Sequence, residues 1–352
     1  MTVTLTIDDI KATIEVIFKQ RVANLIKVGT KGRVLFCVKN SSLTPDYRLR
    51  VFGSAVFNLD QAEASLEKQI KQIFNGGAIE VDVLEYKSTF ASVVEQINVL
   101  KWDWIFTTDS DAQTTVASYC KEKKKFGLVY NLQSDSMYVV SCNNPSALMA
   151  DGTTTIEDVE LLPILVGVIA GCPYTQSISY KIFNELKSVE LPSTIIEGQC
   201  TLYNEEEGVR VASPVNTLLT LTENVTEDMK SIAIVEGMQR LKEDIIYAFR
   251  TAYKGKYKNK YDNQCLFYSA VNYYLEQLED LGVLDPEYDN HVDTNVAKQR
   301  QMWIASGKDA DEINSMSDLE IKKLTYKNMV YPLVNAKFLD AIEGMSMEVD
   351  MY

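Results

Sequence analysis

One histidine stands among 352 residues, and that alone removes a large part of enzyme chemistry. HExxH zinc sites and other two-His metal sites need a second imidazole, and a Ser-His-Asp arrangement would have to use His291. That residue sits in the loop-like stretch Tyr288-Asp289-Asn290-His291. No GxSxG elbow, GxxxxGK[ST] phosphate loop or GxGxxG turn occurs. Gly76-Gly77 falls between an expected helix and an expected strand and reads as a helix stop. Asp109-Ser110-Asp111 follows an expected strand, where α/β enzymes often hold ligands. The same residues suit a helix N-cap, which is the favoured reading. Glu205-Glu206-Glu207 has no ladder of Asp or Asn beside it and reads as a solvated turn. No cofactor, metal or catalytic role is expected.

Two basic islands remain. Lys254, Lys256, Lys258 and Lys260 alternate with Gly255, Tyr257 and Asn259. Lysine interleaved with tyrosine can suit single-stranded nucleic acid, but in an acidic half a solvated loop or a partner contact is favoured. The second island places Lys298 and Arg300, with Lys308 beyond, on an expected helix that also carries Met302 and Trp303. A short amphipathic helix with a basic edge can dock on an acidic surface. A solvated face over a core Trp fits equally well.

The elements that must position these residues are legible as periodicity. Thr2-Val3-Thr4-Leu5-Thr6-Ile7 alternates strictly, as a strand with one apolar face does. Ile10, Ile14, Ile17 and Phe18 then follow helical spacing. From about 33 to 150, short apolar runs alternate with amphipathic stretches: strands near 34–38, 79–84, 104–106 and 126–130, helices near 60–74, 90–100 and 112–123. That alternation predicts an α/β layer with a mostly parallel sheet. The polar stretch 151–156 reads as a hinge and domain boundary. An apolar helix over 157–171 follows, then a hairpin around Glu205–Gly208, long helices near 227–252 and 262–281, and a third near 293–306 with Asp293 at its start and Gly307 past its end. Residues 330–338 look extended. Met345, Met347, Val349 and Met351 alternate with mostly polar residues, so both ends of the chain read as strands. Such strands can pair within the chain or add to a sheet of another subunit.

Composition sets the class. The chain is 46% hydrophobic with a net charge of −14, so it can bury a core, stay soluble and repel nucleic acid and anionic membrane. Residues 1–150 carry 17 basic and 16 acidic side chains, whereas 151–352 carry 18 and 33. The six cysteines, Cys37, Cys120, Cys142, Cys172, Cys200 and Cys265, are scattered and are expected to be reduced thiols of an intracellular product. No secretory signal is expected, and Leu161 to Cys172 is too short to span a bilayer.

At Gly167-Val-Ile-Ala-Gly171-Cys-Pro173-Tyr-Thr-Gln-Ser177-Ile-Ser-Tyr180 the sequence resembles contractile tail sheath proteins, in particular the short sheaths of defective-prophage and phage-tail-like bacteriocin particles of Gram-positive bacteria. The likeness continues through Gly208-Val-Arg210-Val-Ala-Ser-Pro-Val215-Asn216-Thr217-Leu218, the helix around Leu241 to Ala252, Tyr261-Asp262-Asn263, the basic helix and the alternating C-terminus. Ser213-Pro214 stands where relatives often place Arg-Gly. Across 41–150 only the α/β style matches.

The resemblance implies an α/β plus α+β architecture: an N-terminal arm strand and helix (1–27), an outer α/β domain (28–150), an inner sheath domain (151–330) and an extended C-terminal arm (331–352). It implies a non-enzymatic subunit that polymerises as stacked hexameric rings around an inner tail tube, bounded by baseplate and tail terminator. The sheath then contracts to drive the tube through a cell envelope. The arm strands Thr2, Val3, Thr4, Leu5, Thr6, Ile7 and Met345, Met347, Val349, Met351 would pair between subunits. Lys298, Arg300 and Lys308 would face the tube. Assembly would take place in the host cytoplasm before release of the particle. The rival readings are an α/β enzyme or small-ligand binder using 28–150, and another self-assembling tail or secretion-machine component.

Overall fold

A computed structural model of the chain describes residues 26, 31–53, 59–60, 63–343 and 345–348. The arm strand Thr2–Ile7, the helix expected after it, Val349 and Met351 lie outside these. The chain divides into two compact units, Thr30–Glu236 with Asp340–Tyr352, and Gly237–Leu339 with Met1–Gly29.

In the first unit the order is β1 (Arg33–Lys39), β2 (Tyr47–Gly53), α1 (Ala64–Gly76), β3 (Glu80–Tyr86), α2 (Val94–Val99), β4 (Trp104–Thr107), α3 (Gln113–Lys123), β5 (Phe126–Tyr130) and β6 (Val139–Cys142). The strands form one sheet in the order β2-β3-β1-β4-β5-β6. All neighbours are parallel except the edge pair β2 and β3. The central strands are near-continuous apolar runs because both faces are covered. Val34, Phe36, Val81, Val83, Trp104 and Phe106 face one way; Leu35, Cys37, Leu84, Tyr86 and Ile105 face the other. The sequence does not announce the edge strand β2, because half-buried Arg48 and Arg50 alternate with the exposed Tyr47, Leu49 and Val51, in the pattern of a solvated edge.

α2 and α3 cover the second face, and α1 with α4 (Leu162–Gly171) covers the first. The α1–α4 crossing depends on glycine. A Cβ on Gly167 would lie 2.4 Å from the Ile73 carbonyl oxygen, and one on Gly76 would lie 2.3 Å from the Gly167 carbonyl carbon. Gly77, at φ +115°, ends α1 in the left-handed region, as the helix-stop reading required.

The expected boundary at 151–156 is instead the turn of a hairpin. β7 (Ser146–Met149) pairs antiparallel with β8 (Thr155–Glu157) and with β9 (Leu186–Val189). Asp151 closes the turn by accepting from the Thr153 and Thr154 amides, both at 2.8 Å. A polar Asp-Gly-Thr-Thr run serves a tight turn as well as a linker, and the division between compact units falls at 236/237. β10 (Leu202–Glu205) and β11 (Gly208–Val211) form the expected hairpin.

α5 (Ile232–Ala248) runs across that division into a π-helical turn at Phe249–Tyr253. In the second unit α6 (Tyr261–Asp280) buries Phe267, Tyr268, Val271, Tyr274, Leu275 and Leu278. After it come β12 (His291–Thr294), α7 (Val296–Ala305), α8 (Ala310–Ser315), α9 (Asp318–Lys323) and β13 (Pro332–Asn335), which pairs antiparallel with β12. Asp293 belongs to β12 rather than starting a helix, and its carboxylate pairs with Lys322. Asn295 caps α7, accepting from the Lys298 amide at 2.9 Å.

Candidate assembly surfaces

α7 separates the residues that its sequence groups together. Positions two apart on a helix point to different sides. Lys298 is exposed, its ammonium 3.0 Å from Gln301. Arg300 folds back, donating to the Ile313 carbonyl at 2.5 Å, the Met316 carbonyl at 2.6 Å and Asp318 at 3.0 Å. Its guanidinium therefore holds the segment around α8 and α9, and Lys308 stands exposed beyond Gly307. Gln299 is fully buried and donates to the carbonyls of Ile321 and Leu324. Trp303 donates to Leu324 at 2.9 Å and stacks edge-on against Tyr326, ring centroids 5.0 Å apart. The Trp is thus a packing residue, and sequence reasoning missed Gln299 because a mid-helix glutamine looks like surface.

The other lysine island borders a cleft of about 660 Å³ at the N-terminal end of α6. Its walls are Phe249, Tyr253, Tyr257 and Phe267, with Lys254 and Lys258 at the rim. Tyr253 meets Phe267 edge-on at 5.0 Å, and burial pushes its hydroxyl up to about 12. Asn259 holds the facing segment through the carbonyls of Tyr326, Lys327 and Met329. Gln264 also lines the cleft, 2% exposed. Its Nε2 donates to Asn259 at 2.7 Å while its Oε1 has no partner. At the opposite end of α6 the charge reverses: Glu276, Glu279 and Asp280 close the helix, and the loop Pro286-Glu287-Tyr288-Asp289 is exposed. His291 lies at the edge of that loop, Nδ1 3.3 Å from Asp289, with no second catalytic group beside it.

Asp109 caps the turn before α3, accepting from the Asp111 amide at 3.1 Å and from the Tyr86 hydroxyl at 2.8 Å. Burial first, and this carboxylate second, push the Tyr86 phenol far above its ordinary value. At these strand ends, where an α/β sheet can hold a ligand, Asp109 is thus engaged by the fold's own residues. Glu205 and Glu207 pair with Arg210 at 2.6 and 2.8 Å. Among the described residues no group of three or more His, Cys, Asp or Glu could hold a metal ion, and no helix is long and apolar enough to cross a membrane.

The residues that carried the resemblance are structural staples. Asn216 donates from Nδ2 to the Met229 carbonyl at 2.8 Å and accepts from the Leu218 amide at 3.0 Å. Thr217 donates to the Ser136 carbonyl, and Asn263 donates to the Lys258 carbonyl at 2.7 Å. Ser213-Pro214 leads into this clasp, with the Pro214 carbonyl accepting from the Ile232 amide at 3.1 Å. The C-terminal segment is anchored only as far as Asp340, whose carboxylate accepts from Ser231, and Glu343, which accepts from Ser179 at 3.0 Å. Beyond it Met345 and Met347 are 82% and 68% exposed, in no strand.

A three-layer α/β unit, a second α-rich unit and apolar side chains left on the surface define a protein whose interest lies in its surfaces. Residues 224–350 match the family model described as the phage tail sheath C-terminal domain. The tail sheath protein of Clostridium phage phiCD119 is 29% identical over 193 residues, a stretch covering 53% of this chain and 53% of that one. The chain thus spans about half the length of the curated relative it matches. Among solved structures, the sheath tail protein of Listeria innocua aligns with a TM-score of 0.62 at 12% identity, over 93% of this chain and all of that one. The helical sheath of the anti-feeding prophage, in its contracted state, aligns with a TM-score of 0.63 at 13% identity, over 92% and 94%. At these identities the solved structures speak for the fold. The family match and the phage relative bear out the resemblance to tail sheath proteins.

Proposed function

We propose that the protein is the structural subunit of a contractile tail sheath: it polymerises as stacked hexameric rings around an inner tube and contracts to drive that tube through a cell envelope. The observation that carries this reading is the family match over 224–350, joined to a likeness in fold that runs along almost the whole chain. In this reading the α/β layer of 28–150 lies outward in the particle. The tube contact falls to Lys298 and Lys308, with Arg300 bracing the segment beside them. Baseplate and terminator cap the polymer, which assembles in the host cytoplasm and leaves as part of a particle.

The arms Thr2–Ile7 and Met345–Met351 donate strands to neighbouring subunits. Each arm adds a handful of backbone hydrogen bonds worth about 0.5–1.5 kcal/mol apiece and a few buried aliphatic groups. One arm is a modest tether, and several per subunit form a mesh through effective concentration. Charge contacts to the tube are salt-sensitive and can break while the arms hold. Contraction is then a rigid-body rotation of subunits out of a kinetically trapped extended lattice.

Electron microscopy of the purified chain at rising concentration, beside a variant lacking 345–352, tests this. Striated hollow tubes from the full chain and none from the truncation are expected. Uniform small particles from the full chain at every concentration overturn the reading.

A further inference from the structure

The two ends of α6 carry surfaces that complement each other, and we infer that they form one contact between copies, the loop Glu287-Tyr288-Asp289 of each subunit entering the lysine cleft of the next. The inference rests on the reading of the chain as a self-assembling subunit and names one interface within it.

The cleft lacks three things. Its aromatic walls, Phe249, Tyr253 and Phe267, enclose open volume with room for a large ring. Lys254 and Lys258 have no ion pair among the described residues, whereas Lys260, next in the run, pairs with Asp262 at 2.9 Å. Gln264 Oε1 is a buried acceptor with no donor, an arrangement that costs free energy until a hydroxyl or amide reaches it.

The loop supplies all three. Tyr288 is 41% exposed and offers a ring for the walls. Its hydroxyl now donates to Asn335 at 3.1 Å and can exchange that acceptor for Gln264 Oε1. Glu287 and Asp289, one on each side of it, are exposed and meet the two rim lysines; the Asp289 side chain is 87% exposed. In a chain of net charge −14 a cleft rimmed by free lysines selects for such an acidic segment, and an acidic chain repels the nucleic acid that lysine and tyrosine would otherwise suit.

The geometry also settles which copy is involved. The 20 residues of α6 span about 30 Å, so a chain's loop cannot reach its own cleft. Such a contact between copies either repeats head to tail, closing as a ring or continuing as a filament, or is made twice about a two-fold axis.

Sedimentation velocity over a concentration series compares the full-length chain with K254E/K258E, with E287K/D289K, and with all four reversals together. Each pair is expected to weaken association at least about tenfold, and the fourfold variant to recover most of the loss because its charges match again. Thermal melts of each variant separate loss of contact from loss of fold. If either pair associates at the strength of the parent chain, or the fourfold variant does no better than the pairs, this contact is overturned while self-assembly stands. A parent chain that stays monomeric throughout overturns the contact and the sheath reading together.

Discussion

Asp82 sits in β3 between Leu35 of β1 and Val51 of β2, on the face that buries Leu84 and Tyr86. It is 8% exposed and its Oδ1 has no partner. Burial, with Glu80 adding to it, pushes this carboxyl up to about 6. The folded value lies above the unfolded one of about 3.9, so the folded state holds the proton more tightly. The charge therefore weakens the fold above about pH 6, and that penalty fades as the pH falls toward 4. Replacing Asp82 by Asn is expected to stabilise the protein by about 1–3 kcal/mol at pH 8 and to change nothing at pH 4. Thermal melts at the two pH values check it; an equal shift at both would mean that the charge is not the cause.

At the scale of elements the α1–α4 crossing sets the first unit's core. Gly167→Ala puts a methyl against the Ile73 carbonyl, where backbone and not a flexible side chain must yield. A loss of about 1–3 kcal/mol is expected. Gly53→Ala in β2, with nothing within 4 Å of the added carbon, should stay within about 0.5 kcal/mol. Denaturant titration compares the two, and similar midpoints would show that the crossing can widen freely.

These helices also show what a sequence discloses. Strands β1, β3, β4 and β5 were legible because each is a short apolar run between turn residues. α1 was legible because Ile70 and Ile73 recur at helical spacing before a double glycine. The closeness of Gly76 to Gly167 was not, since nothing local says which distant helix a glycine must admit. Arg300 misled for the same reason: its spacing from Lys298 suggests a shared basic edge, while its partners at Ile313, Met316 and Asp318 follow from a later chain reversal. The cleft could have been suspected from lysines alternating with tyrosine, but the unpartnered Gln264 could not.

At the scale of the molecule the two compact units carry separate reporters, Trp102 and Trp104 in one and Trp303 in the other. Unfolding is expected to depart from a single two-state step, with a calorimetric enthalpy above the van't Hoff value. In Trp303→Phe the fluorescence change of one step should vanish while the calorimetric trace keeps both. A single transition with matching enthalpies would show the units to be one cooperative body.

The charges at the carboxyl end of α6 run against the electrical polarity of the helix itself. Its amino end carries Asp262 in the first turn, paired with Lys260, whereas the partial negative charge of its carboxyl end lies beside Glu276, Glu279 and Asp280. Each such placement disfavours a free helix by about 0.3–1 kcal/mol at low ionic strength. A lone subunit thus holds α6 under electrostatic tension at that end. Positive charge from a neighbour brought to that end relaxes it, so the subunit gains internal stability from the same event that joins it to its neighbours.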